Sequence, residues 1–199
     1  MLKNDLQRVT SLFLTSRVRV KIMTLFYMSP REKLHMRKIA REINEQINAV
    51  RRELISMEKT EFLLSHKEGI KKYYILNPDF PLFNEFRSIF VKSYGLGFYI
   101  YSNRKELGDV KFAILSHTYL NREDSDSNNP DMLIVGNPDM TALERFMKEA
   151  ETAEQRRLHY MVISEKELEM AKKRRDPLIY SLSVLPRSMI VGSDEGFVI

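Results

Sequence analysis

The first half of the chain opens with apolar residues at helical spacing. Over residues 6–28 they recur at about every third or fourth position, which predicts one or two helices. Ser16 is placed to cap the second helix, and Ser29-Pro30 ends it. The apolar positions that carry this periodicity are Leu6, Val9, Phe13, Val18, Ile22, Leu25 and Phe26.

A short extended pair, a short helix and a longer helix are predicted next. They occupy residues 34–35, 36–43 and 46–59, and the chain turns between the helices at Asn44. Asn tolerates the left-handed backbone that such a turn often needs. The longer helix is expected to bury Ile47, Val50, Leu54 and Met57 and to expose Asn48, Arg51, Arg52 and Ser56.

A hairpin and another amphipathic helix complete this half. Strands are predicted over residues 62–66 and 71–76, with a glycine-containing turn over 67–70. Because side chains alternate along a strand, one of Tyr73 and Tyr74 is expected in the core. The helix covers residues 82–94, with Phe83, Phe86, Ile89 and Phe90 facing inward.

Helices alternate with buried-type strands in the second half. Gly95-Leu96-Gly97 marks the predicted boundary, which gives domains 1–94 and 95–199. An acidic polar loop spans residues 121–130, and Gly136 is expected to stop the second strand. The predicted fold class is α+β, with the second half a small α/β domain. Its strands are 110–116, 132–135, 159–163 and 188–191, and its helices are 98–107, 140–153, 165–174 and 178–185.

Composition narrows the function classes. The 199 residues include no cysteine, which excludes disulfides, thiolate metal sites, iron–sulfur clusters and cysteine nucleophiles. The longest apolar stretch, residues 89–101, contains Lys92 and is too short to span a membrane. No secretory signal is recognisable, so a cytoplasmic protein without a membrane partner is expected.

Charge is distributed unevenly along the chain. The net charge is +5. Residues 1–98 hold 18 Lys and Arg against 10 Asp and Glu, whereas residues 99–199 hold 14 against 17. A basic first half joined to a mildly acidic second half suggests that the first half meets a polyanion. The alternative is chance variation on solvated faces.

The order of elements in the first half resembles a winged helix-turn-helix. Residues 34–44 look like the positioning helix and turn of the arsenical-repressor-like (ArsR-type) bacterial regulators. Residues 49–54 look like the middle of their recognition helix, and residues 71–78 like the second wing strand. The resemblance covers roughly residues 12–92 and implies a DNA-binding transcription regulator that acts as a homodimer, with apolar residues of 6–14 and 82–94 as the candidate interface.

The candidate interface with double-stranded DNA follows from the chemistry of the exposed residues. Asn and Gln can pair with adenine and Arg with guanine in the major groove, whereas Lys and Arg on flanking elements meet phosphates. The alternatives are a solvated surface or a protein-binding winged helix. The base-reading candidates are Gln46, Asn48, Arg51 and Arg52, and the phosphate-binding candidates are Arg37, Lys38, Arg41, Lys67, Lys71 and Lys72.

The second half resembles a minimal nucleotidyltransferase of the DNA polymerase β superfamily. The similarity lies in residues 110–115 and 131–136 and covers about residues 95–195. That family pairs a Gly-Ser turn with an Asp-x-Asp strand, whose two carboxylates hold the catalytic metal ions. Here His117 and Thr118 replace the turn, Asn129 replaces the first aspartate, and only Asp131 remains.

The matched positions predict a vestigial site rather than a catalytic one. His159 lies near the expected third acid, and Asp124 and Asp126 belong to the loop. No catalytic residue, metal or cofactor is therefore expected, and the four histidines (His35, His66, His117 and His159) are scattered singly. The domain is expected to dimerise, to sense a nucleotide or protein effector, or to serve only as a scaffold. Thr118, Lys111 and Arg122 are the candidate nucleotide contacts.

Two other functions remain open at this point. One is a nucleotidyltransferase that modifies a protein or RNA partner, and the other is an antitoxin-like interaction protein. Loss of activity on substitution of Asp131 is expected for the enzyme. Co-purification of a stoichiometric partner is expected for the interaction protein.

Overall fold

The computed structural model describes residues 15–197 and divides the chain into two compact units, 1–93 and 94–199. The division falls one residue before the predicted boundary. Helices and strands are mixed in each unit, so the predicted α+β class is confirmed. The helix expected over residues 6–14, with its share of the dimer interface, lies outside the described residues.

The first unit contains the predicted series of helices and a small sheet. Its strands are antiparallel in the order β1-β3-β2. Ser16 caps α1 by accepting a hydrogen bond from the Arg19 amide, and Asn44 adopts a φ of 49°, as expected. The elements are α1 Arg17–Met28, β1 Leu34–His35, α2 Met36–Glu42, α3 Ile47–Lys59, β2 Leu63–Glu68, β3 Lys71–Leu76 and α4 Phe83–Ser93.

The core of the first unit lies between the helices and one face of the sheet. The Tyr27 ring stacks on Phe90 with ring centroids 5.3 Å apart, and burial raises the pKa of the Tyr27 hydroxyl. Tyr74 is the buried member of the tyrosine pair, as predicted. Fully buried apolar side chains include Ile22, Phe26, Leu34, Ile39, Val50 and Leu54.

Two residues expected in this core are exposed instead. Ile47, the first residue of α3, is 40% exposed, because the buried stripe of that helix begins one turn later at Val50. Ile89 is 41% exposed. In α4 the buried residues include Arg87 and Phe90, and Ile89 lies on the opposite side of the helix.

The hairpin turn is tighter than predicted. Lys67 belongs to β2, where it pairs with Lys72, and Glu68 pairs with Lys71. The connection is therefore the two residues Gly69-Ile70 rather than 67–70. Gly69 has a φ of +60°, and glycine adopts this conformation without steric cost, which suits a two-residue hairpin loop.

The second unit is built on a mixed sheet. The strand order is β6-β5-β4-β7, with β5 and β6 parallel and the other pairs antiparallel. In its core cluster, side chains of the sheet such as Phe112, Ile114 and Leu133 pack with helical residues that include Leu168 and Phe197. The elements are α5 Gly95–Ser102, β4 Gly108–Leu115, α6 His117–Leu120, β5 Met132–Pro138, α7 Met140–Glu154, β6 Tyr160–Ile163, α8 Glu165–Arg174, α9 Pro177–Val184, β7 Ser188–Val191 and α10 Asp194–Phe197.

Two predictions for this unit are wrong, and two short helices were not predicted. The helix expected over 98–107 is α5, Gly95–Ser102, which begins three residues earlier where the Leu96 amide donates to Glu154. Gly136 does not stop β5, because the register shift opposite Val110 lets the strand continue. The short helices α6 and α10 were not predicted, since four residues are too few to show a period.

A buried carboxylate, Glu154, ties the start of this unit to α6 and α7. Its Oε1 atom accepts hydrogen bonds from the Leu96 amide and the Tyr119 hydroxyl, each at 2.7 Å, and its Oε2 atom pairs with Arg122. Burial and the nearby carboxylate raise the pKa of Tyr119 well above its ordinary value. Gly95 fits beside them with a φ of +63°.

Substitution of Gly95 tests this close packing. A Cβ atom there would lie 2.5 Å from Glu154 Oε1 and 2.7 Å from the Tyr119 hydroxyl. Gly108 also has a positive φ, but its nearest neighbours lie at ordinary contact distances of 3.6 and 3.7 Å. We expect Gly108→Ala to lower the free energy of unfolding by about 1–2 kcal/mol from backbone strain alone. Gly95→Ala should cost about 1–3 kcal/mol more because it also crowds the carboxylate.

Urea denaturation of the full chain, followed through the transition of the second unit, measures both variants. Equal losses for Gly95→Ala and Gly108→Ala would show that the carboxylate does not constrain this site.

Candidate nucleic-acid interface and second-unit cleft

The outward face of α3 presents the four base-reading candidates to solvent. Gln46, Asn48, Arg51 and Arg52 are all exposed. Gln46 occupies the N-cap position of the helix without a capping side-chain hydrogen bond. No hydrogen bond or ion pair from the described residues holds the side chain of Arg51 or Arg52. These donors and acceptors are therefore available to an external partner.

Carboxylates at the start and middle of α3 are paired with cations of α1. Glu53 accepts hydrogen bonds from Ser16 Oγ at 2.6 Å and from Arg19 Nε at 2.8 Å. Glu45, just before the helix, pairs with Arg17 and Lys21, and their hydrogen bonds lower the pKa of its carboxyl. These contacts fasten α3 to α1 and neutralise both acids.

The carboxylate near the end of α3 is paired with the hairpin. Glu58 accepts hydrogen bonds from Lys72 Nζ at 2.6 Å and from Ser65 Oγ, and these two bonds lower the pKa of its carboxyl. Lys72, one of the predicted phosphate contacts, is thus already engaged in holding the hairpin against α3. With Glu45, Glu53 and Glu58 paired, Arg51 and Arg52 dominate the charge of the outward face.

The other phosphate-binding candidates lie on α2 and the hairpin. Lys38 pairs with Glu32 at 2.9 Å, and Arg41 approaches Glu42 only at 4.0 Å. Among the described residues, none forms an ion pair with the remaining three. These three, Arg37, Lys67 and Lys71, are all exposed. The structure therefore brings the ten predicted contacts onto α2, α3 and one hairpin, while their role in binding remains a prediction.

One exposed residue at this surface was missed by the sequence analysis. Ile70, at the tip of the hairpin, is 103% exposed and is flanked by Lys71. Its position in a two-residue turn beside basic residues was the available signal. An apolar tip of this kind can enter a groove between phosphate contacts.

The vestigial residues of the second unit divide into two groups. His117, Thr118 and Asn129 line a cavity of about 270 Å³, whereas Asp131 and His159 do not. His117 contacts Asn121 at 2.6 Å and Glu123 at 3.5 Å. The structure thus brings together only part of the predicted cleft.

The Asp131 carboxylate forms an internal ion pair with Arg156. Its side chain is fully buried, and Oδ1 accepts a hydrogen bond from Arg156 Nη2 at 2.6 Å. Oδ2 accepts hydrogen bonds from Ser125 Oγ at 2.5 Å and from the His159 amide at 3.0 Å. A carboxylate held in this way does not fit a metal ligand of a nucleotidyltransferase.

The residue that replaces the first aspartate is no better placed for metal binding. Asn129 is exposed, and its backbone N–H donates a hydrogen bond to Asp126 Oδ1 at 2.7 Å, which helps to lower the pKa of that carboxyl. His159 is exposed, with Nδ1 2.9 Å from Ser125 Oγ. Across residues 15–197, no group of three His, Asp or Glu side chains is arranged to hold a metal ion.

The expected cationic contacts for a nucleotide also lie elsewhere. Lys111 pairs with Glu165, and Arg122 pairs with the buried Glu154. Neither residue lines the cavity. Of the three candidate nucleotide contacts, only Thr118 does so.

Comparison with known proteins does not assign the chain to a family. No family model and no curated protein matches the chain. The chain is similar to the crystal structure of MepR, a transcription regulator of the Staphylococcus aureus multidrug efflux pump MepA, with 17% identity over 46% of this chain and 69% of that one. The TM-score of 0.38 is too low to define a shared fold. No helix in the described part of the chain has the length and apolarity needed to cross a membrane.

The ion pair of Asp131 gives a stability prediction. Asp131→Ala removes the carboxylate 2.6 Å from Arg156, a residue that is only 22% exposed. Arg156 then keeps only Glu154, whose Oε2 atom lies 3.5 Å from its Nε atom. We expect a loss of about 2–4 kcal/mol in the free energy of unfolding of the second unit, slightly below that of fully buried pairs. Glu106→Ala is the matched control, because its pair with Arg145 is more than half exposed and should contribute at most about 1 kcal/mol.

A double-mutant cycle of Asp131→Ala with Arg156→Ala, measured by urea denaturation, isolates the coupling between the two side chains. Additive losses would refute the structural ion pair.

Proposed function

We propose that the chain is a cytoplasmic DNA-binding transcription regulator whose first unit is a winged helix that reads the major groove. The observation that carries the proposal is the charge pattern around α3. The carboxylates of Glu45, Glu53 and Glu58 are paired with cations, whereas Arg51 and Arg52 point outward without an intramolecular partner among the described residues. This surface attracts a polyanion and offers it directional donors.

In this proposal α3 enters the groove with its N-terminal half. Gln46 and Asn48 can pair with adenine, and Arg51 and Arg52 with guanine. Arg37, Lys38, Arg41, Lys67 and Lys71 contact phosphates on either side, and these contacts fix the register of the helix. Lys72 acts chiefly through Glu58 by holding the hairpin in place. Ile70 at the hairpin tip reaches the adjacent minor groove.

The proposed regulator is a homodimer that binds an inverted repeat. The resemblance to ArsR-type regulators supports this assembly. Exposed apolar surface is supplied by Leu82, which precedes α4 and is 49% exposed, and by Ile89 on α4, which is 41% exposed. Burial of such side chains between two copies is favourable. The second unit then fixes the dimer geometry or responds to an effector.

The enzyme alternative is disfavoured by the cleft. Nucleotidyl transfer by two metal ions needs a pair of available carboxylates, but Asp131 is paired with Arg156 and Asn129 carries no charge. We therefore propose that the second unit is a nucleotidyltransferase-like domain without catalytic activity. Because Asp131 supports the fold, its substitution does not separate an enzyme from a DNA-binding protein. Nothing specific in the structure favours an antitoxin-like partner.

Two substitutions test the proposed recognition surface. Arg52→Ala should weaken binding to the chain's own upstream DNA by about 1–3 kcal/mol and relax the sequence preference at one position. Lys71→Ala should weaken binding to every sequence alike and make the salt slope shallower by about one. Fluorescence anisotropy with labelled duplexes measures both effects.

Lys59→Ala is the matched control. Lys59 is also exposed but lies at the far end of α3, roughly 18 Å along the axis from Ile47. Its removal should change affinity least of the three. Wild-type affinity in both Arg52→Ala and Lys71→Ala would refute the assigned surface.

A further inference from the structure

Ile55 is an apolar side chain on the outward face of α3. It is 54% exposed, although it lies in the interior of the helix. Positions three and four residues apart lie on the same side of a helix. Ile55 therefore follows the exposed Arg51 and Arg52 by one turn, and the exposed Lys59 follows Ile55 by another. The packing of the first unit does not account for an isoleucine at this position.

The other isoleucine of α3, Ile47, has a different setting. It is 40% exposed and precedes the buried Val50 by three residues and the buried Leu54 by seven. By helical period it continues the buried side of α3, so its exposure follows from its place at the start of the helix. Of the two isoleucines, only Ile55 shares the face of the base-reading arginines.

The surroundings of Ile55 are cationic. Arg51 and Arg52 are exposed and form no ion pair with a described residue, whereas Glu53 and Glu58 are each paired with a cation. An apolar side chain set among cations matches a surface that places an apolar group among phosphates. The C5-methyl group of thymine is the apolar feature that base pairs present in the major groove.

The conformation of isoleucine in a helix also suits such a contact. A β-branched side chain there occupies mainly one χ1 rotamer, so it loses little freedom when it packs against a partner. Helical side chains lean toward the N-terminus of their helix. Ile55 therefore covers the turn from which Arg51 and Arg52 emerge, and a methyl group that it meets lies beside the bases assigned to those arginines.

We propose that Ile55 is a specificity residue that selects thymine through its C5-methyl group, next to the guanines contacted by Arg51 and Arg52. The contact rests on the proposed function, because it requires α3 to lie in the major groove. It adds an apolar component to a recognition surface otherwise made of hydrogen-bonding side chains. Cytosine, guanine and adenine carry no methyl group at this place and are disfavoured there.

Deoxyuridine tests the contact because it pairs as thymidine does and lacks only the C5-methyl group. The chain's own upstream DNA is amplified with thymidine triphosphate or with deoxyuridine triphosphate, and the Kd of the full chain is measured for each duplex. We expect deoxyuridine to weaken wild-type binding about fourfold for each methyl group contacted. Ile55→Ala should weaken binding to the thymine duplex and bind the two duplexes with nearly equal Kd.

Ile89→Ala is the matched control, since Ile89 is an isoleucine of α4 that is 41% exposed. Whatever its effect on affinity, the ratio of its two Kd values should equal the wild-type ratio. A change in DNA shape caused by loss of the methyl groups acts on every variant alike. Comparison of the ratios therefore isolates the contact of Ile55, and circular dichroism confirms that each variant is folded.

Two results would overturn this assignment and leave the proposed function intact. One is an equal wild-type Kd for the thymine and deoxyuridine duplexes, with preference over random DNA retained. The other is a ratio of the two Kd values in Ile55→Ala that equals the wild-type ratio. A folded wild-type chain that prefers neither duplex over random DNA would overturn the proposed function, and the role of Ile55 with it.

Discussion

Pairing of carboxylates with internal cations is the interaction on which both units depend. In the first unit, Glu53 joins α3 to α1 and Glu58 joins it to the hairpin. In the second unit, Glu154 connects the start of α5 to α6, and Asp131 holds Arg156 beside the sheet. Buried or half-buried charges are tolerated in this way because each has a partner and further hydrogen bonds.

The same pairing has opposite consequences for function in the two units. Around α3 it pairs Glu45, Glu53 and Glu58 with cations, whereas Arg51 and Arg52 are exposed and form no ion pair with a described residue. In the second unit it occupies the carboxylate that a nucleotidyltransferase would need. The first unit thus presents basic side chains on α3 that are unpaired among the described residues, and in the second unit Asp131 is held by Arg156.

Local patterns were sufficient to predict much of the fold. The cap at Ser16, the left-handed turn at Asn44 and the span of α8 follow from side-chain chemistry and helical period alone. The exposure of Ile47 could not be predicted from the helical period. Whether a residue at the end of a helix is buried depends on how far the packed neighbouring elements extend. The start of α5 at Gly95 likewise depends on a carboxylate 59 residues later in the chain.

The candidate sites were only partly predictable for the same reason. Exposed Lys and Arg on a basic helix and hairpin can be selected from the sequence, but the pairing of Lys72 with Glu58 links residues on different elements. The sequence resemblance predicted a vestigial catalytic position for Asp131, and only the fold shows that Arg156 pairs with it. Ion pairs between residues far apart in the sequence determine which charged side chains remain available to bind an external partner.

Binding of the purified chain to its own upstream DNA, compared with random DNA across a salt series, tests most directly whether the first unit binds DNA. If each chain contacts about five phosphates, the logarithm of the binding constant should fall with the logarithm of salt concentration with a slope near −4.5 per bound chain, at about −0.9 per phosphate. Specific binding with that slope is the result we predict. A folded chain that prefers neither DNA at any salt concentration would contradict the account and make the first unit a protein-binding module.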